Sequence, residues 1–254
     1  MSLPLITDPA FYAAAIPAVL LLGISKSGFG TGFGSLAVPL MAVSVTVPQA
    51  AAIMMPLLFV MDVLGIAAFR RDVDRPLLWF LLPSALVGTL LGTALFHWLD
   101  ASAVAGIVGV ITLLFLAQTF LVRRKVDAPP PPRWVGAILT ATAGFTSFIA
   151  HAGGPPIAAY ATRLGLSPVV YTATMAYLFF FVNLSKWLPY AWLGLLDTRN
   201  FATSLALMPL APLGVFIGVR MARRINPVLF YRLVHAGLLV TGLKLVWDGG
   251  AGWR

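Results

Sequence analysis

Three short stretches bring together residue types suited to holding an anion. "GISKSGFGTGFGS", residues 23–35, sets Lys26 and Ser27 ahead of Gly28, Gly30, Thr31, Gly32 and Gly34. "TSFIAHAGGPP", residues 146–156, places Ser147, His151, Gly153 and Gly154 in a second glycine-rich turn. "VNLSK", residues 182–186, adds Asn183 and Lys186, and Asp62 is the acidic residue set deepest in an apolar run. A cation, hydroxyl and amide donors, and a backbone open to close approach are what a small oxyanion needs. Each residue also has an ordinary structural role. Lys26 lies about 23 Å along a helix from Phe11, and Asp62 about 21 Å from Pro48, so the two reach a similar depth. Lys26 therefore either balances a ligand's charge or pairs with Asp62, which reads first as its counter-ion and second as a proton carrier. His151 can donate to an anion, titrate, or simply pack. Asn183 is a ligand or interhelical glue. The hydroxyls of Ser27, Thr31 and Ser147 are free to bond to their own helices. Lys186, near the end of its apolar run, is expected to extend to the outer surface.

The elements that position these residues lie in lipid. With 60% hydrophobic and 10% charged residues over 254, the chain is an all-α polytopic membrane protein, not a soluble domain. Apolar stretches at 11–24, 35–69, 77–97, 101–122, 134–150, 168–187, 202–219 and 228–247 recur without strand alternation. The start lacks a basic region and leads into further spans, so it is expected to be the first helix and not a cleaved signal. No cysteine is present, and no zinc or nucleotide-binding signature, so no metal and no cofactor are expected. The net charge of +9 does not indicate nucleic acid, because the cations sit in short loops beside apolar spans.

Those loops set a topology. "RRDVDR" (70–75), "RRKVDAPPPPR" (123–133), Arg163 and "RMARR" (220–224) hold 11 of the 17 Lys and Arg, which places all four on the cytoplasmic side. Five segments then precede the linker, at 11–26, 35–46, 48–69, 77–97 and 101–122, and five follow it. An odd number turns the second half upside down, with both termini non-cytoplasmic. Trp79, Trp98, Trp134, Trp187, Trp192 and Trp247 fall at the expected span ends. At a shift of 120 residues Ser27 matches Ser147, Gly34 matches Gly154 and Met55 matches Met175; at 126, Pro83, Gly88 and Gly92 match Pro209, Gly214 and Gly218. The expected architecture is two inverted-topology repeats of five segments, residues 1–122 and 134–254, joined by a cytoplasmic linker at 123–133. Each repeat holds a glycine-rich turn before a short, broken helix, beginning near Gly34 and near Gly154. Irregular backbone at membrane depth lines a polar centre. Two helix N-termini meeting there favour an anion.

The turn ending "GFGSLAVPLM", the turn "HAGGPPIAAY" and the opposed halves joined by a charged linker resemble the TauE/SafE family of sulfite and organosulfonate exporters, over nearly the whole chain. That resemblance implies export of a small sulfur-containing anion across a bacterial inner membrane, with a small anionic substrate and the lipid bilayer as partners. Two other readings stay open from the residues themselves. One is an anion channel using the same cavity. The other is an intramembrane hydrolase using Ser27 or Ser147 with His151, one helical turn from Ser147, although no G-x-S-x-G elbow is present.

Overall fold

A computed structural model describes residues 5–30, 33–42, 44–98, 100–121 and 130–251. Thr31, Gly32 and most of the expected linker lie outside the described residues. The chain runs through α1 (Pro9–Gly28), a 3-10 turn (Phe33–Leu36), α2 (Ala37–Met41), α3 (Val47–Phe69) and α4 (Arg75–Leu95). A second 3-10 turn (Phe96–Trp98) and α5 (Ala101–Leu121) follow. The remainder is α6 (Arg133–Ala150), α7 (Gly154–Ala161), α8 (Pro168–Trp192), α9 (Thr198–Leu207), α10 (Leu210–Ala222) and α11 (Pro227–Ala251). Helix starts are written locally. Thr46, Asp74, Ser167 and Asp197 accept hydrogen bonds from the backbone N–H three residues on, and Asp8 from the one two residues on. In α1, α3, α4 and α8 a proline occupies the first turn, where its missing N–H costs nothing.

Among the described residues five helices are long and apolar enough to cross a membrane, and α9 with α10 makes a sixth if the bent pair is one span. The expected single span at 202–219 is thus corrected to two helices meeting at 50°. Pro209 at the junction has no N–H to continue the ladder. α9 is also polar, burying Asn200, Thr203 and Ser204, with the Ser204 hydroxyl donating to Ile53 O at 2.7 Å. Among the tryptophans, Trp79, Trp98, Trp134, Trp192 and Trp247 are exposed as expected. Trp187 is the exception: it turns inward and meets Phe59 edge-on at 5.8 Å.

Helices pack through glycine, as they do where lipid removes the hydrophobic drive between them. α1 lies on α10 with Gly23 against Gly214 and Gly28 against Gly218. α4 lies on α6, where Gly88 abuts the Ala141 carbonyl and Gly144 the Ala85 carbonyl. Gly106 and Gly109 of α5 meet Gly249 and Gly242 of α11, and α3 packs on α8 at the centre.

The two ends of the bundle differ in charge. At one end Arg223 donates to Ala68 O at 2.7 Å and pairs with Asp72 at 3.2 Å, and the Arg133 guanidinium lies 5.5 Å from the Phe80 ring centre. There too Tyr231 donates to Leu166 O. The basic segments 70–75, 163–167 and 220–226 therefore share an end with Arg133. At the other end Gln49 bonds Asn200, and Ile6 N bonds Thr203.

Candidate functional site

The last turn of α1 brings Lys26 against the middle of α3, where its Nζ lies 2.6 Å from Asp62 Oδ1. Asp62 is fully buried and Lys26 is 8% exposed. The second carboxylate oxygen accepts from Asn183 Nδ2 on α8 at 2.8 Å. The amide orientation of Asn183 is fixed by that bond, so its Oδ1 accepts, and its donor is Lys186 Nζ at 2.9 Å. Lys186, one helical turn further along α8, is fully buried. Its Nζ also lies 2.8 Å from Ser147 O, 2.7 Å from Ser147 Oγ and 3.2 Å from His151 Nδ1. Four helices, α1, α3, α6 and α8, are thus tied by one polar chain.

The proton positions follow from what each atom is able to do. His151 Nε2 is 3.1 Å from the Ala51 carbonyl, which only accepts, so Nε2 carries the proton and Nδ1 accepts. Lys186 Nζ then faces three obligate acceptors: Ser147 O, Asn183 Oδ1 and His151 Nδ1. An ammonium has a proton for each of the three, one of them shared with Ser147 Oγ at 2.7 Å. The Ser147 hydroxyl proton is left over for another partner. Two cations and one carboxylate make the buried cluster formally +1.

His151 occupies the C-cap of α6 with φ 50°, a left-handed conformation that costs a residue with a Cβ on the order of 1 kcal/mol. Three contacts hold it there: the Ala51 carbonyl, Lys186, and a stacked Tyr190 ring at 6.2 Å.

A cavity of about 60 Å³ opens beside this cluster. At roughly 15 Å³ for each water-sized occupant, it holds about four, the bulk of a small oxyanion. Of the residues expected at a site, Lys26, Gly30, Gly34, Ser147, His151, Gly154 and Asn183 line it. Asp62 stands behind Lys26. Ser27, Gly28 and Gly153 do not line it. Gly28 packs on Gly218, and a Cβ on Gly153 would lie 2.6 Å from the Ala143 carbonyl. Gly30, at φ 66°, turns the chain against Tyr171 and Met175.

Two features differ from expectation. Lys186 does not extend to the surface: the run drawn to 187 continues as α8 to Trp192, so Lys186 lies two turns inside its helix and not at its end. Its spacing of three from Asn183 was the signal that both share a face. Ser25, also missed, lines the cavity with a buried hydroxyl that has no hydrogen-bond partner among the described residues. A serine beside Lys26 carries no signal of its own in the sequence, because such hydroxyls ordinarily bond their own helix.

The helix starts are unequal. α7 begins at Gly154 with no side-chain cap. Pro155 and Pro156 carry no N–H, so of the four donors a helix start leaves open only Gly154 and Ile157 supply one. α2 is five residues behind a 3-10 turn and contributes little dipole.

Residues 15–245 match the family model described as Sulfite exporter TauE/SafE. No curated protein and no solved structure matches the chain.

Proposed function

The chain belongs to the TauE/SafE family of sulfite exporters, and from that membership we propose that it carries a small sulfur oxyanion or organosulfonate out of the cell through the cavity between α1, α3, α6 and α8. It is a membrane transporter and not an enzyme. The hydrolase reading of Ser147 and His151 falls with that membership, and the serine hydroxyl contacts Lys186 Nζ. The observation that carries the reading is the buried lysine behind the cavity wall: Lys186 is fully buried, has no carboxylate of its own, and its Nζ meets Ser147, His151 and Asn183, which line the cavity. A buried charge of that kind calls for a mobile partner. Lys26, Ser147, His151, Asn183 and the backbone at Gly30, Gly34 and Gly154 form the proposed binding surface, and Ser25 joins them. Ser27 sits in the last turn of α1, and Thr31 and Gly32 follow Gly30 in the sequence.

The proposed architecture is a pair of inverted repeats, residues 1–122 and 134–254, with 123–133 between them. Reciprocal packing supports it: with α9 and α10 counted as one segment, the first helix of each half lies on the fourth segment of the other, α1 on α10 and α6 on α4, while α3 meets α8 and α5 meets α11. The basic end is proposed as cytoplasmic and both termini as non-cytoplasmic, in a bacterial inner membrane. Outward passage of one negative charge down an inside-negative potential releases about 2.3 kcal/mol per 100 mV, so export needs no nucleotide. Purified protein in liposomes tests the reading. Uptake of sulfite or methanesulfonate driven by an inside-positive potential is expected; potential-driven uptake no faster than in empty liposomes overturns it.

A further inference from the structure

We infer that the cavity selects its anion by charge, taking monoanions such as bisulfite or an alkanesulfonate and refusing dianions of the same size. The inference rests on the proposed anion site and adds the ionic form of its occupant. Among the described residues, the charged side chains in or directly behind the cavity wall are Lys26 from α1, Asp62 from α3 and Lys186 from α8. His151 at the end of α6 is neutral by its hydrogen bonds, and Tyr190, stacked on it, donates its hydroxyl to Phe148 O at 2.8 Å. The sum is +1. A shift of the Lys186 proton along its bond to His151 Nδ1 leaves that sum unchanged.

One negative charge brings the occupied site to neutrality. A second would be buried without a partner, because every remaining polar group is already spoken for or is a neutral donor. Lys26 is committed to Asp62, and Ser25 and Ser147 offer hydroxyl protons without charge. Neutral donors stabilise a tetrahedral or pyramidal oxyanion but do not cancel its second charge. The cavity's size adds no discrimination between sulfate and methanesulfonate, which have nearly the same bulk. Charge alone separates them here. For sulfite the consequence is that the protonated half of the couple is the ligand, although the dianion is the more abundant form in mildly alkaline water.

The test is binding by the full chain in detergent, read by calorimetry with methanesulfonate, sulfate and sulfite as probes. Methanesulfonate is expected to bind with an affinity constant across neutral pH. Sulfate is expected to bind at least roughly 100-fold more weakly. Apparent sulfite affinity is expected to fall about tenfold per unit as pH rises above the second ionisation of sulfurous acid. Asp62→Asn raises the cluster to +2 and is expected to bring sulfate to within about tenfold of methanesulfonate. Lys26→Met combined with Asp62→Asn restores +1 and with it the preference for monoanions, which decides the matter even if the single variant does not fold. Sulfate binding within about tenfold of methanesulfonate in the unaltered chain overturns the charge rule and leaves the anion site standing. Sulfite affinity that does not fall with pH overturns it likewise. No binding of any of the three anions overturns the anion site, and the charge rule with it.

Discussion

At the scale of the residue, Lys186 changes the ranking of the cations. Counting from the end of an apolar run placed it at the membrane surface and made Lys26 the deeper charge. In the fold Lys26 is neutralised by Asp62, whereas Lys186 has only neutral acceptors. Lys186→Met is therefore expected to lower methanesulfonate affinity by at least roughly 100-fold while the Lys26–Asp62 pair persists. Lys26→Met is expected to act mainly on stability, by about 3–5 kcal/mol, because it leaves a buried carboxylate with Asn183 alone. Calorimetric titration and urea unfolding, run on both variants, separate the two effects; a Lys186→Met protein that binds like the unaltered chain refutes the assignment. Lys26 and His151 were legible because a charge or an imidazole stands out in an apolar run. Lys186 was not, because its depth depends on where α8 ends. That end comes at Trp192, which is 84% exposed, and Trp187 is not the interface residue it resembled.

At the scale of the element, glycines fall into two groups that the sequence does not tell apart. At Gly34 a Cβ would meet the tip of Leu22 at 3.3 Å and Ser25 Oγ at 3.6 Å, both on the cavity wall. At Gly218 it would meet the Ile24 carbonyl at 2.7 Å and Gly28 N at 2.8 Å, which are backbone and do not give. Gly34→Ala is expected to keep stability within about 1 kcal/mol and to lose ligand-induced thermal stabilisation. Gly218→Ala is expected to cost about 1–3 kcal/mol by forcing α1 from α10. Its folded fraction should still respond to methanesulfonate in a thermal-shift assay. The reverse pattern, with Gly34→Ala unstable and Gly218→Ala stable but unresponsive, is incompatible with this division. The existence of α1, α3, α4, α8 and α11 was readable from apolar length. The break between α9 and α10 was not. The apolar residues of 202–219 continue across it, and only Pro209 and the buried polar face of α9 mark the bend.

At the scale of the whole molecule, charge asymmetry and packing symmetry bear on the same question of sidedness. Loop composition grouped the basic segments, and contacts between distant parts of the chain join the segments so grouped. Arg223 reaches Ala68 and Asp72 across 155 and 151 residues of sequence. Ile6 meets Thr203 at the far end, and α11 runs from the basic end to bring Gly249 against Gly106 near the start of α5. Ile6 and Gly249 thus lie at the end opposite the arginines, the end proposed above as non-cytoplasmic by the positive-inside rule. The chain has no cysteine, so single substitutions report orientation without further change. Arg224→Cys, exposed just after α10, and Thr198→Cys, exposed at the start of α9, mark opposite ends. A membrane-impermeant maleimide is expected to label the Thr198→Cys protein in intact spheroplasts and to spare Arg224→Cys until the membrane is inverted or opened. The rule leaves ten of eleven cations at the basic end after the Arg224 change, so orientation itself is preserved. Labelling of Arg224→Cys from the outside with Thr198→Cys protected would invert the molecule. The export direction argued from an inside-negative potential would survive that result, because it follows from the sign of the anion, but the assignment of 123–133 as a cytoplasmic linker would not.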